Sequence, residues 1–317
     1  MTQQTAADYL RHGQTPFYRL PVADLCKPDT ERYRGADAVL LGVPYDGGTT
    51  YQPGTRLGPY HVRRVSALVE SFHPVHRVDV FGRLRCIDGG NVPAPPFDSA
   101  AVRELVHGDV ALVAAAGAVP FVVGGDHSIA LPALRAVAER HGPLAVVHVD
   151  AHLDTCGPEG WGESHHHGTP LRHALKDGLI ERDQLYQIGI RDAWSSAEDG
   201  DFGASHGANV FFSDDVADRG VRAIMAEIRE RIGTRPLYVT FDIDGVDPAF
   251  APGTGTPVPG GLSSREAVML IRALAGANLV GMDLVEVLPA LDHADITSHL
   301  AAHLLFEGLA LLAVRAA

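Results

Sequence analysis

Runs of basic residues, paired cysteines and long apolar stretches are all missing from this 317-residue chain. With a formal net charge of -13 and no Lys/Arg cluster, it lacks the electrostatic footprint of a nucleic-acid binder. Cys26, Cys86 and Cys156 are odd in number and far apart, which argues against a disulfide framework. The opening MTQQTAADYLRHG has no apolar core of the kind a secretory signal carries. The most apolar late segment, LLFEGLALLAV (304–314), is too short to span a bilayer and holds Glu307. We therefore expect a cytoplasmic protein with no membrane partner. No Gly/Ser linker, internal repeat or shift of composition divides the chain, so one domain over residues 1–317 is expected. Residues 1–34 are the least readable part, a candidate arm against a neighbouring subunit.

What the chain does have is 46% hydrophobic residues, arranged as β-rich runs alternating with helical stretches. Candidate strands are 38–45, 121–125, 144–151, 185–191, 209–212, 237–244 and 279–287. Most are continuous apolar runs, as strands buried on both faces should be. Helical segments are expected at 59–70, 99–117, 128–140, 217–232, 263–276 and 294–314, with Ser128 and Ser263–Ser264 as candidate N-caps. This alternation predicts an α/β three-layer sandwich, a mostly parallel sheet flanked by helices. Gly- and Pro-rich stretches at 47–59 and 251–261 closely follow strands and read as shaped site loops rather than linkers.

Three candidate strands end in ligand-type residues. VVHVDAHLD delivers Asp150, His152 and Asp154; PLYVTFDID delivers Asp242 and Asp244; VPFVVGGDHS delivers Asp126 and His127. Open parallel sheets bind ligands outside the carboxyl ends of their strands. Alternation along an extended chain would place Asp150, His152 and Asp154 on one side, and Asp242 beside Asp244. Buried carboxylates need cations. His127, Asp150, His152, Asp154, Asp242 and Asp244 are therefore candidate ligands for two divalent ions. Oxygen and nitrogen donors without thiolate suit Mn²⁺, and also accept Ni²⁺, Co²⁺ or Zn²⁺. ESHHHGTP adds His165, His166 and His167, one of them a candidate proton shuttle. Glu286, within an apolar run, needs a cationic partner: an internal Arg or a cationic group of the substrate.

GGDHS (124–128), DAHLDT (150–155), HHGTP (166–170), DIDGVDPAFAPGTGTP (242–257) and MDLVEVLP (282–289) together resemble the ureohydrolases, the arginase–agmatinase family. YDGGTTYQPGTRLGP (45–59) is similar to the N-terminal segment of the agmatinase branch. The resemblance runs from about residue 35 to the C-terminus and implies an arginase-like sheet of about eight strands. It implies one manganese held by His127, Asp150, Asp154 and Asp242 and a second held by His152, Asp150, Asp242 and Asp244. It further implies a hydroxide between the ions that attacks a guanidinium carbon, releasing urea and an amine. By the same resemblance Asp154 orients the hydroxide, His167 shuttles protons, Glu286 grips the guanidinium through a bidentate pair, and Asp126 supports the site from behind. Homo-oligomers, trimers or hexamers, are the implied assembly.

Where arginases place Asn and Ser to read an amino acid, this chain has Cys156 and Glu163, which weakens an arginase reading. Loops 154–170 and 189–203 are expected to line the mouth with Glu159, Trp161, Glu163, Asp192 and Trp194. An acidic, aromatic rim suits a cationic tail, so the expected reaction is agmatine to putrescine and urea. His165 or His166 would instead favour a carboxylate tail, as in 4-guanidinobutyrate, 3-guanidinopropionate or the substrate of proclavaminate amidinohydrolases. A one-zinc deacetylase and a non-catalytic homologue are the competing classes.

Overall fold

The computed structural model describes residues 15–158 and 161–316. Its strands are β1 (Ala38–Val43), β2 (Phe72–His73), β3 (Val78–Asp79), β4 (Cys86–Asn91) and β5 (Val119–Gly124). They continue with β6 (Leu144–Val149), β7 (Ile180–Ile190), β8 (Ala208–Phe212), β9 (Pro236–Asp242) and β10 (Asn278–Val285). Eight make one sheet in the order β4-β1-β5-β10-β9-β6-β7-β8, every neighbouring pair parallel. β2 and β3 form a small antiparallel ribbon apart from it.

The helices are α1 (Asp29–Arg32), α2 (Gly58–Ser66), α3 (Val80–Arg83), α4 (Ser99–Ala115), α5 (Ala130–His141) and α6 (Pro170–Lys176). After them come α7 (Ala197–Ser205), α8 (Ser213–Arg219), α9 (Val221–Ile232), α10 (Ser264–Ala273) and α11 (Ile296–Arg315). Alternate residues of single strands enter two separate cores. Leu40, Phe121 and Val147 pack with Val62, Ile228, Leu270 and Leu304 of α2, α9, α10 and α11. Their neighbours Val39, Val122 and Val146 pack with Val106, Leu134 and Leu171 of α4, α5 and α6. Both faces are covered, which is why these strands read as unbroken apolar runs.

All seven predicted strands form, and β4 is an eighth that CIDGGN hides because it resembles a turn. Asp88 is tolerated inside β4 because Arg63 donates to it at 2.9 and 3.2 Å and the Phe17 amide at 2.8 Å. The helix expected over 217–232 is two helices, broken at Gly220, whose φ of 76° no helix accepts. Ser263 caps α10 in a capping box with Glu266. Ser128 does not cap: Asp126 takes that role, accepting from the Ser128 amide at 2.9 Å. α6 and α7 were not foreseen, since α7 contains Gly200 and Gly203. Gly200 is needed there because a Cβ would stand 2.5 Å from the Trp194 ring.

α11 has the length and hydropathy of a membrane span, yet 83% of its apolar window is buried inside the protein. Glu307 within it accepts from Arg272 at 2.5–3.0 Å and lies 3.0 Å from His73, so this charge ties α11 to α10 and the β2–β3 ribbon. Of the expected N-terminal arm, residues 1–14 lie outside the described residues. Phe17 and Tyr18 are fully buried in this chain's own core, with the Tyr18 hydroxyl donating to Ala302 O at 2.6 Å.

Candidate metal centre

β5, β10, β9 and β6 are adjacent at the middle of the sheet, and their carboxyl ends deliver His127, Glu286, Asp242 and Asp150 side by side. The six candidate ligands do not reach the site by strand alternation. β6 stops at Val149 and β9 at Asp242, so Asp150, His152, Asp154 and Asp244 lie on turns beyond. Side-chain caps hold these turns: Asp150 Oδ1 accepts from the His152 amide at 2.7 Å and Asp242 Oδ1 from the Asp244 amide at 2.9 Å. Glu286, likewise expected within a strand, is the first residue past β10. It has φ 63°, and Asp154 has φ 54°. Left-handed backbone at a non-glycine residue costs about 1–3 kcal/mol and is retained where it aims a functional side chain. The Glu286 amide donates to Gly125 O at 2.8 Å, and Gly125 leaves no room for a side chain, since a Cβ would stand 2.0 Å from Tyr45 O.

Two donor groups share Asp150. His127 Nδ1 faces Asp154 Oδ2 at 2.8 Å, Asp150 Oδ2 at 3.2 Å and Asp242 Oδ2 at 3.3 Å. His152 Nδ1 faces Asp150 Oδ1 and Asp244 Oδ2, each at 3.2 Å. One oxygen of Asp150 thus belongs to each group, the geometry of a bridging carboxylate. The tautomer of His127 suits a ligand. Thr240 Oγ1 donates to Asp283 Oδ1 at 2.7 Å and so accepts from His127 Nε2 at 2.8 Å, which leaves Nδ1 with a lone pair. His127 Nδ1 and Asp154 Oδ2 are buried without a hydrogen-bond partner although they are 2.8 Å apart.

Charge gives the same answer. Burial, reinforced by Asp244 and Asp150, pushes the Asp242 carboxyl far above its ordinary range, and burial with Asp150 raises Asp244 despite His152. Burial alone would depress the imidazoles, yet Asp154 for His127 and Asp244 for His152 hold both well up. An excess of buried negative charge of this kind needs divalent cations, and the donor set fits them.

A cleft of about 390 Å³ opens over the donors, lined by Thr50, Tyr51, Cys156, Trp161, His166, His167, Asp192 and Trp194 among others. His167 Nδ1 donates to Glu286 Oε1 at 2.9 Å, and its Nε2 lies 2.7 Å from Thr50 Oγ1 and accepts from the Thr50 amide at 3.2 Å. Burial would lower this imidazole, but Glu286 above all, then Asp126 and Asp154, raise it to about 9. Glu286 Oε1 also accepts from the His127 amide at 2.9 Å, while Oε2 is buried and unpartnered. One carboxylate oxygen is therefore engaged by two protein donors and the other by none, whereas the expected bidentate grip needs both. Neither partner of Glu286 Oε1 is an Arg. Asp126 accepts from the amides of Gly48 (2.7 Å) and Ser128, and burial with the Glu286 charge raises it to about 6.

At the mouth, Asp192 Oδ2 lies 3.4 Å from His152 Nε2, so it supports a candidate ligand as well as lining the cleft. Trp194 lines the cleft and stacks on Phe212 at 6.3 Å. Glu163 is not on the cleft wall; its Oε1 accepts from the amides of Ser164 (2.7 Å) and His165 (3.3 Å). His165 stacks on His173 at 4.3 Å, also off the wall of the main cleft. Glu159 lies outside the described residues. Burial pushes the Cys156 thiol to about 12, so it is no nucleophile. Sequence reasoning missed Thr50, His148, Gln187, Thr240 and Asp283. The last four carried a signal, being polar residues inside apolar strand runs.

The model of the arginase family matches residues 36–310. Proclavaminate amidinohydrolase of Streptomyces clavuligerus is 44% identical over 92% of this chain and 91% of its own. The solved structure of that enzyme superposes with a TM-score of 0.88 at 42% identity, covering 95% of this chain and 98% of the other. Guanidinopropionase of Pseudomonas aeruginosa is 43% identical over 88% of this chain and 87% of its own. Mitochondrial agmatinase of Gallus gallus is 40% identical over 95% of this chain and 86% of its own. With two His–Asp donor groups at the carboxyl ends of a parallel eight-stranded sheet, the chain belongs to the arginase family, ureohydrolases acting on amidino C–N bonds.

Proposed function

We propose that this chain hydrolyses a guanidino compound bearing an anionic, acceptor-type tail, releasing urea and the corresponding amine, with two manganese ions. The observation that carries the chemistry is Asp150, one oxygen turned to each imidazole-bearing donor group, together with a Glu286 oxygen that is buried without a partner behind His167 and His127. His127, Asp150, Asp154 and Asp242 would hold one ion, and His152, Asp150, Asp242 and Asp244 the other. Two such cations, when bound, would supply a water that ionises near neutral pH and Lewis-acid polarisation of the amidino group. Glu286 Oε2 holds the guanidinium and orients its carbon. Asp154, whose Oδ2 faces His127 in the donor group, would use its other oxygen to accept a hydrogen bond from the attacking water and orient it. His167 takes up a proton on Nε2, donating it to Thr50 Oγ1 in place of accepting from the Thr50 amide, and passes it to the leaving amine while Glu286 holds Nδ1. The donor set is all oxygen and nitrogen, which favours Mn²⁺; a comparison of activity after reconstitution with Mn²⁺, Ni²⁺, Co²⁺ and Zn²⁺ tests that choice.

The tail is argued from what the wall offers. Asp192 serves His152, and buried Asp199 accepts from the Gly157 and Ser196 amides at 3.3 and 3.4 Å. Among the described residues of the wall, a free ammonium therefore meets no unengaged carboxylate apart from the metal donors. His166 Nδ1 accepts from the Gly168 amide at 3.1 Å, which puts its hydrogen on Nε2, and that donor has no partner. An acceptor-bearing tail satisfies it. The names of proclavaminate amidinohydrolase and guanidinopropionase point the same way. Agmatine remains the second reading, favoured by Tyr51, Trp161 and Trp194, whose faces suit a cation. Urea release from 3-guanidinopropionate and 4-guanidinobutyrate should exceed that from agmatine by about 10-fold or more in kcat/KM, as one charge-assisted hydrogen bond allows. The reverse order would return the agmatine assignment.

Glu286→Gln should keep both metals and raise KM about 10- to 150-fold, the loss of one hydrogen bond to a charged group. Unchanged kinetics would remove Glu286 from substrate binding.

A further inference from the structure

His148 lies on β6, two residues before Asp150, and is completely buried. Its Nε2 is 2.7 Å from Asp150 Oδ2. By distance alone His148, His127, Asp150 and Asp154 are close enough to share one ion, which would make His148 a seventh ligand. The hydrogen positions decide otherwise.

Gln187 sits opposite His148 on β7, and its Nε2 approaches two groups, Leu153 O at 2.7 Å and His148 Nδ1 at 3.1 Å. Leu153 O can only accept, so the atom facing it is the amide nitrogen; the flipped amide would set oxygen against oxygen. That NH₂ has two hydrogens, one for each neighbour. His148 Nδ1 is thereby an acceptor, its ring hydrogen stands on Nε2, and Nε2–H donates to Asp150 Oδ2. A nitrogen that carries a hydrogen has no lone pair for a metal.

We propose that His148 is a positioning residue: held in one tautomer by Gln187, it fixes Oδ2 of the bridging carboxylate Asp150 and thereby sets the affinity for the ions without touching them. The inference rests on the two-ion reading of the site. It parallels the arrangement at His127, where Asp283 and Thr240 fix the ring from the opposite side. Each donor group thus has a buried hydrogen-bond relay behind it, one running from β7 through β6 and the other from β10 through β9.

The test is Mn²⁺ binding to the full chain without substrate, followed by electron paramagnetic resonance of free Mn²⁺ and by metal analysis at saturation. His148→Asn is too short to reach Oδ2 and should weaken binding about 10- to 100-fold while still taking two ions at saturation. His148→Gln can place an amide N–H near the Nε2 position and should stay within about 3-fold of the parent if donation to Asp150 is what matters. Parent-like affinity in His148→Asn overturns the role. Saturation one ion short in both variants also overturns it, by making His148 a ligand. If His148→Asn does not fold, Gln187→Leu keeps the ring but frees its tautomer and should still weaken binding; unchanged affinity there overturns the proposal. A parent that takes up no Mn²⁺ overturns the two-ion reading and this inference with it.

Discussion

Asp242→Asn is expected to abolish urea release and the uptake of both ions while leaving the metal-free fold at least as stable as the metal-free parent. The first half follows from the position of Asp242: its Oδ2 is 3.3 Å from His127 Nδ1, and its Oδ1 caps the turn that carries Asp244. The second half follows from charge. Its carboxyl is held far above the ordinary range by burial, Asp244 and Asp150. A folded-state pKa above the unfolded value penalises the folded state at neutral pH; the penalty is present above the unfolded pKa and is relieved as pH falls. Asparagine removes the charge and keeps an oxygen to cap the Asp244 amide. The parent should gain thermal stability with added metal, about 2.7 kcal/mol at 100 times Kd, and the variant none. Thermal melts with and without Mn²⁺ at pH 8, together with metal analysis, read both halves. A variant that retains two ions, or whose metal-free form melts well below the metal-free parent, contradicts the account.

The second large effect is expected at His167. His167→Ala should retain both ions and lose about 10²- to 10⁴-fold in kcat, the usual contribution of a positioned proton carrier. The structure favours His167 over His165 for this proposed role. His165 is stacked on His173, with its pKa depressed by burial to about 4, whereas His167 is fixed at both nitrogens against Glu286 and Thr50. The anionic surroundings hold it near 9, and two dications would draw it back toward neutrality, where a shuttle works best. The readout that separates roles is the split between turnover and metal content. Loss of metal in His167→Ala would make it a ligand, and an unchanged kcat would remove it from the proton path.

Much of the site could be read before any coordinates because ligand-type residues interrupt strongly apolar runs, and uncompensated charge is costly there. His127, Asp150, His152, Asp154, Asp242 and Asp244 all stood out on that ground. The reason first assigned to their convergence was wrong in detail: turns beyond β6 and β9, capped by Asp150 and Asp242 themselves, place the side chains. The acidic rim misled for a related reason. Composition shows that Glu163 and Asp192 are near the motif but not which way they face. One turns onto its own loop and the other onto His152.

The order of apolar runs, the residue types at their ends and the lack of a basic face were properties of the chain itself. They suffice for a helix-flanked parallel sheet with an oxygen–nitrogen metal site, because periodicity and burial cost act locally. The strand order is not local: β5, β10, β9 and β6 come from distant parts of the sequence and meet only in the assembled sheet. That meeting alone splits Asp150 between two donor groups, sets Gln187 behind His148 and Thr240 behind His127, and leaves one oxygen of Glu286 unpaired. Hydrogen-bond direction depends on which groups face each other across strands, so only the folded structure could decide it.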